Sequence, residues 1–133
     1  MRRKVVEDWN RVVATVKREL LNELLSEDVV FHSPVVHSPH RGKELAIKYL
    51  SGAFYVLKNE SFRYVREIIG GRDAVLEFVT EIDGIVINGV DMIKWDDDGK
   101  IVDFKVMVRP LKAINLLHQK MAEMLERLNA GTA

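Results

Sequence analysis

The second half of the chain constrains the fold most. From residue 74 to residue 108 apolar and polar residues alternate with a period of two, through three segments joined by tight turns. Ala74 to Ile82 puts Leu76, Phe78, Thr80 and Ile82 on one face and Glu77, Val79, Glu81 and Asp83 on the other. Asp83-Gly84 is a hairpin signal. Ile85 to Trp95 returns with Ile87, Gly89, Asp91, Ile93 and Trp95 on one face. Asp96-Asp97-Asp98-Gly99 makes the next turn, and Ile101 to Val108 carries Phe104, Val106 and Val108 on the matching side. Ser61 to Ile69 forms a strand before them, ended by Gly70-Gly71-Arg72-Asp73. Such a run makes an antiparallel sheet with one apolar face, which other elements must cover.

The rest of the chain supplies that cover. Val5, Val6, Trp9, Val12, Val13 and Val16 recur at helical spacing and predict a helix from Arg3 to Val16. Its β-branched valines are weak helix formers, so packing must hold it. Leu20, Leu21, Leu24 and Leu25 predict a second, short helix that Ser26-Glu27-Asp28 breaks. Val29 to Ser33 reads as a strand ended by Pro34, and Pro34 and Pro39 bracket a polar loop. Gly42 precedes a third helix with Leu45, Tyr49, Leu50, Ala53, Phe54 and Leu57 on one side. Pro110 opens a last helix whose stripe is Ile114, Leu117, His118, Met121, Leu125 and Leu128, before a tail at 130–133 that should fray. The expected architecture is one α+β domain over residues 1–133, a curved sheet wrapped around helices.

Composition removes several function classes. The 20 basic and 20 acidic residues cancel, so nothing in the net charge favours nucleic acid or an anionic membrane as a partner. There is no cysteine, which excludes disulfides, thiolate nucleophiles and cysteine zinc sites and permits a reducing compartment. No apolar run is long enough to span a membrane, and the charged start lacks the apolar core of a signal peptide. A cytoplasmic protein without a cofactor is expected.

The chain resembles the nuclear-transport-factor-2-like superfamily, in its SnoaL-like and ketosteroid-isomerase-like group. The markers are Leu24-Leu25-Ser26-Glu27-Asp28-Val29-Val30-Phe31 with Pro34 behind it, Arg41-Gly42-Lys43-Glu44, and Val90-Asp91-Met92-Ile93-Lys94-Trp95 followed by Asp98-Gly99-Lys100-Ile101. The resemblance covers nearly the whole chain, from about Val6 to Val108. The resemblance implies a cone-shaped, cystatin-like α+β fold with a hollow between sheet and helices. That fold hosts isomerases, hydrolases, cyclases, dehydratases and silent ligand-binding members alike. In the steroid isomerase pattern the general-base aspartate falls on Ser33, the oxyanion-hole aspartate on Asp91 and the oxyanion-hole tyrosine near Trp9. A serine hydroxyl does not accept a proton as a carboxylate does, and an indole N–H donates but does not titrate. The arginine-and-two-aspartate set of limonene epoxide hydrolase is not evident.

Asp91 stands out because its face otherwise carries Ile87, Ile93 and Trp95. Burial there should raise its pKa, and a protonated acid donates to a carbonyl oxygen. The alternative is a structural carboxyl satisfied by the Trp9 N–H or by water. His32, His37 and His40 lie within nine residues, but Pro34 and Pro39 interrupt them. A loop histidine at the cavity mouth fits better than a metal site, with His37 or His40 as a candidate proton-transfer group. His118 is expected at the boundary of the last helix. Asp96 to Gly99 lacks the length and terminal glutamate of a calcium loop. Arg109 is a rim cation or a surface ion-pair partner. Candidate ligand-binding residues are Trp9, Phe31, Ser33, Tyr49, Phe54, Phe78, Thr80, Trp95, Phe104 and Val106. On the opposite sheet face Val79, Val90, Met92 and Met107 lie among charges and predict a two-fold homodimer interface. Two functions stay open. One is a binding domain for a small apolar or carbonyl-bearing ligand. The other is an isomerase, lyase or hydrolase using Asp91 as acid or oxyanion donor with a loop histidine as base.

Overall fold

A computed structural model describes residues 2–129. Helix α1 (Arg2–Thr15) and helix α2 (Arg18–Leu24) lead into β1 (Leu25–His32) and the short β2 (His40–Arg41). Helix α3 (Lys43–Leu57) follows, then β3 (Arg63–Ile69), β4 (Asp73–Ile82), β5 (Ile85–Trp95), β6 (Ile101–Arg109) and helix α4 (Leu111–Asn129). The strands form one mixed sheet in the order β2-β1-β6-β5-β4-β3. Only β1 and β6 run parallel; the other neighbours are antiparallel. The frayed tail expected at 130–133 lies outside the described residues, as does the side chain of Leu128.

The alternation read from the sequence is the alternation of burial. Leu76, Phe78 and Thr80 of β4, Ile87, Asp91, Ile93 and Trp95 of β5, and Phe104 and Val106 of β6 all point into the core. Asp83 and Gly84 both take positive φ at the β4–β5 turn, as its geometry demands. Gly89 is required for another reason. It lies opposite Phe78, and a Cβ there would sit 2.5 Å from that ring and 2.7 Å from the Met107 carbonyl oxygen. The end of the Phe78 ring therefore lies close against bare backbone.

Several local expectations need correction. Ser26-Glu27-Asp28 does not separate helix from strand: β1 already begins at Leu25, which pairs with Ile101. The register to β6 shifts between Leu25 and Val30, so these polar residues form an irregularity inside the strand. The bracketed loop contains β2, whose His40 and Arg41 pair with Phe31 and Val30. Gly42, at φ 98°, then turns the chain into α3 while its amide donates to the Val29 carbonyl. Helix α3 buries Ala46, Ile47, Leu50, Gly52 and Leu57 and leaves Leu45 exposed. The reason is a second neighbour: Gly52 faces Met121 and Met124 of α4, so α3 is covered on two sides. Helix α4 turns Ala113, Leu117, Met121 and Met124 inward, and His118 is exposed rather than at a boundary. Val16 lies beyond the end of α1, exposed and at φ 52°.

Candidate functional site

Among the described residues, the concave face of the sheet carries two polar side chains that are buried, Thr80 and Asp91. Thr80 points inward as its alternation requires, yet its hydroxyl donates to the Leu57 carbonyl at 3.0 Å. It ties the end of α3 to β4 and is not turned to a ligand. Asp91 differs. It sits in β5 between Leu76 of β4 and Val106 of β6, 7 % exposed. Its Oδ2 accepts a hydrogen bond from the Tyr64 hydroxyl at 2.6 Å. The Tyr64 oxygen in turn accepts from the Trp9 indole N–H at 2.9 Å. The indole thus reaches the carboxyl through a tyrosine rather than directly.

Three elements supply this chain of groups. Trp9 comes from the buried stripe of α1, Tyr64 from β3 and Asp91 from β5. β3 and β5 are not neighbours, since β4 lies between them. A tyrosine is long enough to cross one intervening strand on the concave side of a twisted sheet. Desolvation raises the Asp91 pKa from 3.8 to about 7, with the Tyr64 hydrogen bond pulling it back. The Tyr64 hydroxyl is pushed well above its usual range, first by burial and then by the neighbouring carboxylate. At neutral pH the carboxyl is therefore poised between acid and base.

A cavity of about 30 Å³ adjoins Asp91. Trp9, Phe54, Phe78, Phe104 and Val106 line it, as expected from the sequence. Val13, Leu50, Ala53, Leu57, Lys58, Phe62 and Tyr64 complete the wall. The Trp9 ring packs on Phe104 at 4.7 Å and on Phe54 at 5.5 Å between centroids, and Phe62 stacks on Phe78 at 5.4 Å. This space has room for one or two waters at most. A larger cleft of about 550 Å³ runs between α1, α2 and the β5–β6 turn, and its cations are held by local partners. Lys4 and Arg11 both pair with Asp8, and Lys100 donates to the Glu23 carbonyl. Asp91 is absent from its walls, and the buried carboxyl borders the smaller cavity alone of the two.

The other candidates lie elsewhere. His40 is in β2, with its ring stacked on Tyr49 at 3.8 Å and facing Phe31 at 6.2 Å. Burial lowers its pKa, and His32 lowers it further. His32 pairs with Asp103 at 2.9 Å. His37 is exposed and borders an outer groove with Ser33 and Lys105. Neither His37 nor His40 lines the Asp91 cavity, so the expected pairing of that acid with a loop base is not assembled. Ser33 is turned to its own loop, where its hydroxyl accepts from the Val35 amide. Phe31 and Tyr49 belong to the histidine stack, although Phe31 also backs Phe104 at 6.1 Å. Trp95 is buried core and does not reach the cavity. Arg109 contacts the Asn88 side chain at 3.4 Å rather than a carboxylate. Among the described residues no cluster of three or more His, Asp or Glu is placed to hold a metal ion.

Tyr64 is the residue that sequence reading missed. A register shift between Tyr64 and Arg66 breaks the period of β3, so its inner and outer residues cannot be sorted by alternation. The usable signal was short: Phe62 and Tyr64, two aromatics two apart, just before the irregularity.

The SnoaL-like domain family matches residues 6–104. The chain belongs to the SnoaL-like family. Among solved structures, a steroid delta-isomerase from Pseudomonas aeruginosa is 35 % identical over 96 % of this chain and 93 % of its own, with a TM-score of 0.90. An uncharacterised protein with a cystatin-like fold from Silicibacter pomeroyi is 31 % identical over 90 % of this chain and 83 % of its own, at TM-score 0.83. An NTF2-like protein of unknown function from Mesorhizobium loti shares the fold at 20 % identity and TM-score 0.69, over 80 % and 89 % of the two chains. No curated protein matches the sequence. This SnoaL-like protein therefore has the expected NTF2-like, ketosteroid-isomerase-like architecture, a fold shared by proteins of quite different activity.

Proposed function

We propose that this SnoaL-like protein binds a small apolar, carbonyl-bearing molecule in the cavity beside Asp91, with the carboxyl meeting the carbonyl oxygen. One observation carries the reading: a buried carboxyl, satisfied on one oxygen by Tyr64, borders a space that is aromatic and aliphatic apart from Lys58. Burial of this kind keeps an acid protonated at near-neutral pH, when it can donate. A ligand of even modest size needs more room than about 30 Å³. Binding therefore requires side chains such as Phe54 and Phe62 to swing aside.

The test compares Asp91→Leu, which has no hydrogen-bond donor to offer, with the parent for folding and for uptake of apolar ketones by calorimetry. A variant that folds normally and binds ketone more weakly supports the reading. Unchanged ketone affinity removes it.

A second reading, an isomerase, is favoured by the 35 % identity to a steroid delta-isomerase. Asp91 would then stabilise a developing enolate oxygen. No carboxylate stands at Ser33 to move the substrate proton. Turnover of a β,γ-unsaturated ketosteroid, followed by the rise in ultraviolet absorbance of the conjugated product, decides it. An absence of turnover leaves the binding reading alone.

The convex face supports a homodimer. Met92 and Met107 are 38 % and 50 % exposed, and Val90 lies beside Met107 in the ladder. Ile68, Val75 and Met92 continue the apolar row across three strands. Sedimentation of Met92→Glu/Met107→Glu should show a monomer where the parent is dimeric; a monomeric parent refutes the interface.

A further inference from the structure

We propose that Lys58 anchors a carboxylate at the solvent edge of the cavity, so that this protein takes apolar monocarboxylates, with the apolar body inside and the carboxylate outside on the ammonium. The inference rests on reading the cavity as the ligand site, and it names a ligand class that the apolar walls do not select by themselves.

The fold holds this lysine in place without neutralising it. Lys58 ends α3, where its amide donates to the Phe54 carbonyl at 2.9 Å. The carbonyl before it, on Leu57, is held by the Thr80 hydroxyl at 3.0 Å. The side chain lines the cavity, and its ammonium reaches the exposed end of α1 to donate to the Ala14 carbonyl at 3.0 Å. The last carbonyls of a helix carry partial negative charge, which steadies a cation there. An ammonium has three donors, and this bond uses one of them, on a neutral partner. Lys4, Lys43 and Lys120 each meet a carboxylate instead. Among the described residues Lys58 has no such partner, so it keeps its charge and two donors at the wall of an apolar space.

One cation suits one negative charge. A carboxylate is balanced by Lys58, whereas a phosphate dianion is left half balanced. The anionic end of the guest also has only one place to go. Deeper in, it would meet Asp91 with no cation beside it, and an unpaired charge in an apolar space is costly. Thr80, which holds the end of α3, stands four residues beyond Leu76 on β4, and Leu76 pairs with Asp91. At roughly 3.3 Å per residue the two ends of the site lie about 13 Å apart along the strand. The carboxylate therefore stays at the rim on Lys58, and the apolar body runs inward towards the Phe78 and Trp9 rings.

Calorimetry on the full chain at neutral pH provides the test, with two probes of one skeleton, ω-phenylpentanoate and ω-phenylpentanol. The parent should bind the acid roughly two- to fivefold tighter than the alcohol, the worth of an exposed ion pair. Lys58→Met keeps an apolar stem and should erase that difference while binding the alcohol as the parent does. Lys58→Arg should restore it. Raising sodium chloride from about 0.01 M to about 1 M should bring the acid down towards the alcohol in the parent. Ala53→Phe, which fills the cavity, should weaken both probes. An alcohol that binds as tightly as the acid overturns the proposal and leaves the cavity reading standing. So does a preference for the acid that survives in folded Lys58→Met, or one in the parent that high salt does not diminish, a result that needs no variant. If neither probe binds, or if folded Ala53→Phe takes up both as the parent does, the cavity reading is refuted and the proposal falls with it.

Discussion

Two polar groups, the buried Asp91 and the partly buried His40, lie at different places on the same sheet, and they behave oppositely. At the middle, Asp91 borders a cavity and has one hydrogen bond from Tyr64. Near the β1–β2 edge, His40 is stacked on Tyr49 and Phe31, with His32 beyond it. Desolvation favours the neutral form of both. The acid is therefore raised and the base lowered. What separates them is the space beside them. Asp91 faces a cavity, whereas the His40 ring packs on Tyr49.

The largest effect expected is on Asp91. Its folded pKa lies above its unfolded value, so its contribution is fully present below pH 3.8 and is lost as pH rises through about 7. Asp91→Asn keeps an acceptor for Tyr64 and removes the charge. The variant should match the parent in stability near pH 4 and exceed it at pH 8 by on the order of 3–4 kcal/mol, at about 1.4 kcal/mol per pK unit. Urea melts at the two pH values measure this, and equal gains at both would contradict a buried carboxyl.

Next in size is Gly89→Ala. The new methyl meets the Phe78 ring and the Met107 carbonyl, so the ring must shift into the cavity. We expect a loss of about 1–3 kcal/mol from overpacking. Ketone uptake should fall with it, while the His40 stack is untouched. A thermal melt unchanged from the parent would place Phe78 elsewhere.

Smaller still is Thr80→Val, which deprives the Leu57 carbonyl of its donor. A loss of about 1 kcal/mol is expected, without any effect on ligand, because this hydroxyl is structural. Altered ligand affinity would return Thr80 to the site.

The smallest effect belongs to the edge. The His40 pKa is depressed, so its contribution is present above pH 6.5 and is lost as pH falls through the folded value. His40→Phe keeps the aromatic stack and should flatten the acid side of the stability profile with little change at pH 8. Its slope is opposite in sign to that of Asp91, so the pair can be separated in one pH series.

Much of the fold was legible in the sequence because alternation and burial are the same fact in a half-covered sheet. The inner faces of β4, β5 and β6 needed no tertiary information, and Asp91 was visible as the acid among their apolar residues. The aromatic wall at Trp9, Phe54, Phe78 and Phe104 followed from the same periodicity. The histidine segment was not legible. Its proximity in sequence suggested a shared role, yet His32 pairs with Asp103 and His40 enters a strand.

What the amino-acid order determined alone was which residues face inward, because side-chain direction along a strand or helix is a local property of the backbone. Only the tertiary structure decided which inward groups meet. Tyr64 reaches Asp91 across an intervening strand, and Trp9 reaches Tyr64 from a helix 55 residues earlier. Such contacts depend on sheet twist, a register shift in β3 and the seating of α1. No spacing in the sequence records them, since they arise from packing of elements rather than from the period within any one of them.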